Sequence, residues 1–270
     1  MSGARILFML MAIILLSIGV SARSRNTETG FLNRTVKVGA ETYTYQVYVP
    51  ANWTKAKKWP IILFLHGAGE RGNDGLIQTE VGIGTLIRRH PDRIPAIVVM
   101  PQCATNHWWL QPEMQAQALK ALEQSMKEFN GDQTRTYLTG LSMGGNGTWA
   151  IASANPGKFA AIAPVCAPAR ISPRYGVQVN PEDMSEERYK TYAAKIGRTP
   201  VWVFHGDADP VVPVTESRLM VEALKAASGD VRYNEYPGVG HDSWNKAYAE
   251  PELFTWLFSH QLDSNAKAKR

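Results

Sequence analysis

Apolar positions along this chain fall into two rhythms. Short unbroken apolar runs recur at residues 60–65, 96–100, 137–139, 160–165 and 200–204. Such runs are expected of strands buried on both faces of a parallel sheet. Residues 35–38 and 42–49 instead alternate apolar and polar, with Gly39-Ala40 between them, and predict a β-hairpin. Residues 231–236 alternate as well and predict a strand nearer the sheet edge. Stripes at helical spacing lie between the runs. Leu119, Leu122, Met126 and Phe129 share one face of a helix over residues 115–129, with Pro112 ahead and Asn130-Gly131 stopping it. Leu219, Met220, Ala223, Leu224 and Ala227 form a second stripe, ended by Gly229, and Leu253, Phe254, Leu257 and Phe258 a third, after Pro251. Strand and helix alternating with short connections predict an α/β fold, a mostly parallel doubly wound sheet. With no repeat and no linker, residues 23–270 read as one domain.

One connection is longer than the rest. About thirty residues separate Cys166 from Arg198, and connections of that length are usually functional. They contain Pro168, Pro173, Pro181 and one helical pattern at residues 185–196. Residues 167–198 are therefore expected to form a small cap-like insertion arching over the strand ends.

The ends of the chain differ from its body. Arg5 precedes an almost wholly apolar run at residues 6–16, and Val20-Ser21-Ala22 supplies a small-x-small pattern before Arg23. Residues 1–22 thus read as a cleaved export signal, because the run is shorter than a membrane span needs. Residues 23–34 are polar and expected to be loosely held. The formal charge of +5 resides largely at the termini, in Arg5, Lys267, Lys269 and Arg270. The body is close to neutral, which argues against a nucleic-acid-binding face. A hydrophobic fraction of 44% and a charged fraction of 20% are ordinary for a globular chain. No stable membrane partner is expected, and oligomeric state is not legible. Cys103 and Cys166 are the only cysteines. Export would permit a disulfide, and spacing leaves pairing open. Neither lies in a metal-type cluster, so no metal and no cofactor are expected.

The chemistry-bearing stretch is Gly140-Leu141-Ser142-Met143-Gly144, a G-x-S-x-G pattern that follows a β-prone run. It predicts a tight strand-to-helix turn that lifts the Ser142 hydroxyl clear of the sheet edge. The following helix would begin at the serine, with its unpaired N–H groups and positive end facing any negative charge formed there. Two other strand ends carry titratable groups: Asp207 and Asp209 after the run at 200–204, and His241 and Asp242 after the run at 231–236. A nucleophile, an acid and a histidine thus follow three different strands.

That order, with Leu65-His66-Gly67-Ala68-Gly69-Glu70-Arg71-Gly72 and Pro101-Gln102-Cys103, resembles the α/β-hydrolase fold family. The closest branch is that of secreted esterases and peptidases related to feruloyl and acetylxylan esterases and polyhydroxybutyrate-depolymerase-like enzymes. The resemblance implies a serine hydrolase with Ser142 as nucleophile, His241 as base and Asp209 as the acid that orients it. Asp207 is the rival acid. It also implies an oxyanion hole made by the backbone N–H groups of Met143 and Ala68. His66 and His205 are expected to hold loops, His107 to line a pocket, and His90 and His260 to lie at the surface. Glu70 and Arg71 either pair to fix the oxyanion loop or meet substrate. Trp108, Trp109 and Trp244 are candidate substrate contacts. The implied substrate is a small-molecule or polysaccharide-linked ester, acetyl or feruloyl by analogy, hydrolysed through an acyl-enzyme. A peptidase of the same fold and a non-catalytic carbohydrate-binding module are the alternatives.

Overall fold

The computed structural model describes residues 28–171 and 184–263. The proposed signal at residues 1–22 and the basic C-terminal end lie outside them.

Eight strands form one sheet in the order β1-β2-β4-β3-β5-β6-β7-β8. β1 (Gly30–Val38) and β2 (Glu41–Val49) are the expected hairpin, closed by a two-residue turn in which Gly39 takes a positive φ of 61°. β1 starts earlier than polarity suggested, because Gly30 to Arg34 pair in register with the second half of β2. Phe31 packs on Tyr48 with ring centroids 5.4 Å apart, and Arg34 bonds Glu28 and Glu128. β2 joins β4 (Ile97–Pro101) antiparallel. From there β3 (Trp59–Leu65), β5 (Gly131–Leu141), β6 (Ala161–Val165), β7 (Val201–Gly206) and β8 (Val231–Tyr236) continue the sheet in parallel.

The two-sided burial of the apolar runs is explicit in β3. Ile61, Leu63 and Leu65 face one core and Ile62 and Phe64 the other. The first core is covered by α2 (Pro112–Glu128), α3 (Met143–Ala154), α4 (Glu187–Ile196) and α5 (Thr215–Ala226). The second is covered by α1 (Ile83–Arg89), α6 (Trp244–Ala249) and α7 (Leu253–Ser259). This is the predicted doubly wound α/β architecture, with every parallel strand ending at the same rim.

Three expectations are corrected. In α5 the inward face is Ser217, Met220, Val221 and Leu224, whereas Leu219 is 36% exposed. The apolar stripe had taken in a residue one step off the packed face. Helix α6 was not expected; it spans six residues, too few to establish a periodicity. The insertion at 167–198 is not wholly a cap. Tyr189, Tyr192, Ala193 and Ile196 of α4 join the core that α3 and α5 cover, so this helix is the crossover between β6 and β7. Its preceding residues 172–183 lie outside the described structure.

Candidate active site

Ser142 occupies the turn between β5 and α3 with φ 52° and ψ −116°, a backbone region non-glycine residues rarely visit. Its N–H donates to the Val165 carbonyl at 2.9 Å, which anchors the turn to the neighbouring strand. The turn closes because two glycines leave space. A Cβ on Gly140 would lie 2.3 Å from the Gly144 carbonyl oxygen, and one on Gly144 would lie 1.9 Å from that of Leu65.

His241 sits in the loop after β8, and its Nε2 lies 2.9 Å from the Ser142 Oγ. Its Nδ1–H donates to the Asp209 Oδ2 at 2.7 Å. The three side chains therefore form one hydrogen-bonded line, with the Asp209 side chain fully buried and the His241 side chain 19% exposed. The loops after β7 and β8 are tied together beneath this line. Asp207 accepts the Gly238 N–H at 2.6 Å, Ala208 N–H donates to the Val239 carbonyl at 3.1 Å, and Gly206 leaves no room for a side chain beside Val239. Asp207, the rival acid, is thus occupied in fastening the histidine loop. Asp242 is exposed and accepts from Asn245 one turn on.

Burial by itself would raise the Asp209 carboxyl. Hydrogen bonds from His205, His241 and the N–H groups of Val211 and Val212 outweigh it and hold the group far below the usual carboxylate range. His205 contributes more than loop support. Its Nε2 faces both Asp209 Oδ2 at 3.2 Å and the Val212 carbonyl at 3.1 Å, two acceptors, so this nitrogen carries the proton. Nδ1 then accepts from the Ser217 hydroxyl at 2.7 Å. Asp209 consequently lies between two imidazoles, an arrangement the sequence did not reveal.

On the other side, the chain from β3 turns directly against Ser142. A Cβ on Gly67 would stand 3.8 Å from that of Ser142 and 2.9 Å from Leu141 Cδ1. A 3-10 turn begins at Ala68 and α3 begins at Met143. Both N–H groups belong to helix first turns, where intrahelical acceptors are lacking. His66 fastens this loop from behind. It is fully buried, its Nε2 accepts the Cys103 N–H at 2.9 Å, and its Nδ1–H donates to Gly67 O at 2.6 Å. Burial lowers its pKa to about 4, so the ring is neutral at pH 7. Gln102 completes the fastening: its side chain accepts from Gly75 N–H at 2.7 Å and donates to Glu70 O at 3.1 Å.

Glu70 and Arg71 do not pair among the described residues. Glu70 Oε2 is buried without a hydrogen-bond partner, 3.9 Å from His66 Nδ1, and burial raises its pKa. Arg71 turns away and donates from Nε to the Ala68 carbonyl at 3.0 Å.

The three tryptophans separate. Trp109 is fully buried, donates to the His66 carbonyl at 3.0 Å and packs edge-on against that ring, so it is core and offers no face to a ligand. Adjacent residues in a turn point apart, and the sequence could not say which of the pair points inward. Trp108 keeps 7% exposure and donates to Asn146 Oδ1 at 3.1 Å. Trp244 is half-buried, with its ring edge-on to His241 at 5.4 Å. His107 is half-buried beside Glu113, His90 is exposed at the end of α1, and His260 is half-buried against Trp256 rather than fully at the surface.

Both cysteines are free and buried. Burial pushes the Cys103 thiol up to about 12 and Cys166 higher still. Cys166, Asp209 and His241 bring their donor atoms within 4.8 Å of one another. Two of those donors already share a proton and the thiol is held protonated, which suits a packed proton line better than an ion site.

A thermostable esterase of known structure superposes with a TM-score of 0.71 and 32% identity over 86% of this chain and 63% of its own. An uncharacterized secreted protein of Arthroderma benhamiae is 27% identical over 216 residues, 70% of this chain and 22% of the relative. A bifunctional acetylxylan esterase/xylanase of Neocallimastix patriciarum is 34% identical over 125 residues, 45% of this chain and 17% of the relative. The chain thus spans only a minor part of either curated relative's length. The model of the prolyl oligopeptidase family matches residues 110–261, which include the Ser142 turn and the loops bearing Asp209 and His241. An α/β-hydrolase sheet, a serine on its central turn and this match together place the chain in the prolyl oligopeptidase family.

Proposed function

We propose that the protein is a serine carboxylesterase acting through an acyl-enzyme. The observation that carries this reading is the unbroken hydrogen-bonded line from Ser142 Oγ through His241 to Asp209. A serine hydroxyl is too weak an acid to attack an ester unaided. His241 takes its proton during attack and returns it to the leaving alcohol, while Asp209 fixes the tautomer and offsets the imidazolium charge. Met143 and Ala68 supply the N–H groups for the oxyanion. Water then repeats the attack on the acyl-serine with the same base.

The proposed substrates are acyl esters of carbohydrates, acetyl or feruloyl, a choice supported by the relative named for acetylxylan esterase activity. Export through residues 1–22 is part of the proposal and is supported by the relative named as secreted. A peptidase remains the second reading, because the matching family model is named for oligopeptidases. Purified protein assayed on 4-nitrophenyl acetate and on peptide anilides separates the two. A fluorophosphonate probe should label Ser142, and Ser142→Ala should lose labelling and at least about a thousandfold in turnover with an unchanged circular dichroism spectrum. Near-normal turnover in that variant would refute the assignment.

A further inference from the structure

We propose that Arg71 recognises an anion, and that the preferred esters carry a carboxylate a few atoms from the scissile carbonyl. The inference rests on the esterase reading and specifies its substrate class.

The guanidinium has a defined seat beside the reaction centre. Its Nε–H donates to the carbonyl of Ala68, whose own N–H is the proposed oxyanion donor. Its carbon lies 5.9 Å from the centroid of the Trp108 ring. That indole is held by Asn146, four residues and one helical turn beyond Ser142. Arg71 therefore sits between the oxyanion loop and an aromatic wall that α3 itself positions.

Its charge is not spent on the fold. Arg71 is half-buried, yet no carboxylate pairs with it among the described residues. Glu70 faces His66 instead, and Glu113 faces His107 at 3.8 Å. Arg170 and Arg135, also half-buried, do have such partners, Glu216 at 3.0 Å and Asp132 at 2.9 Å, whereas half-buried Arg93 is met by the carbonyls of Ala249 and Glu250. Partly desolvating a guanidinium without a counter-charge is unfavourable, so a position that keeps one invites a ligand to provide it. With Nε committed and Nη1 making only a 3.5 Å contact to the His107 carbonyl, most of the planar fork is available. That fork matches a carboxylate with two parallel hydrogen bonds.

The test compares monoethyl succinate with ethyl pentanoate, equal in length and differing by the charge, under pH-stat conditions. O-Butyrylglycolate puts the carboxylate on the alcohol side, so the better of the two anionic esters shows which part of the substrate Arg71 meets. Wild type should favour an anionic ester over the neutral one by roughly tenfold in kcat/KM, a gap that narrows in 1 M salt. R71M should cost the anionic ester at least about ten times more than the neutral ester, mainly in KM. R71Q, which keeps a donor for the Ala68 carbonyl, should behave likewise, and R71K should fall between. Equal losses on both esters, or no anionic preference in wild type, would overturn the proposal and leave Arg71 a loop-fixing residue. A wild type that cleaves neither ester would refute the esterase reading itself.

Discussion

At the scale of single residues, the site depends on where one carboxylate is held. Asp209 accepts four hydrogen bonds, two from imidazoles and two from backbone. His205 is the one contributor to this set that can be removed without touching the proposed base. A hydrogen bond to a charged group is worth about 1.5–3 kcal/mol, so His205→Leu, which has no donor, should lower kcat roughly ten- to hundredfold while KM stays within a few-fold. It should also displace the acidic limb of the kcat pH profile, which a change in packing alone would not do. A parallel shift of Tm with an unaltered profile would reduce His205 to scaffolding. The sequence carried the Ser142 turn plainly, because a G-x-S-x-G turn is a local device. Asp209 was distinguishable from Asp207 only by spacing, since Asp207's bond to Gly238 joins two loops about thirty residues apart. The partnership of His205 with Asp209 was not legible, because the chain must first fold back through the Asp209–Val212 turn to bring them together.

Among elements, the junction of β5 and α3 bears the tightest constraint. Gly144 lies so close to Leu65 that a Cβ would stand 1.9 Å from a carbonyl oxygen of β3. Backbone cannot withdraw as a flexible side chain can, so Gly144→Ala must move α3 away from the sheet. Thermal unfolding should show a loss of about 3 kcal/mol or more, and turnover should fall even in the fraction that folds. A variant of wild-type stability and activity would contradict the packing described. Most elements were legible for the reason that β3 illustrates: buried parallel strands leave unbroken apolar runs. What escaped was short or borrowed its order from elsewhere. The first five residues of β1 are strand only because β2 offers a partner, and α6 is held by tertiary packing rather than by pattern. The α4 helix was visible, but its place in the layer depends on the crossover from β6 to β7.

Considered as a whole, the molecule should be sensitive to acid through a residue that does no proposed chemistry. His66 is buried and neutral, with burial lowering its pKa from 6.5 to about 4. Protonation would also aim a second N–H at the Cys103 N–H it now accepts. Between these two pKa values the unfolded chain binds a proton that the folded chain refuses, so stability rises with pH there. The contribution, about 3 kcal/mol, is complete above about pH 6.5 and lost progressively down to about pH 4. Denaturant melts across that range should show the decline, and His66→Gln should flatten it whatever its effect on stability at pH 7. An identical slope in both proteins would remove His66 as the cause. The order of strands has a further consequence. The proposed nucleophile belongs to the fifth strand's turn, whereas its proposed proton acceptor follows the eighth, an edge strand with a single neighbour. Domains take shape from the amino end as the ribosome delivers them. On the proposed mechanism a nascent chain therefore presents its serine long before anything can activate it, and stays chemically silent until its last strand has docked.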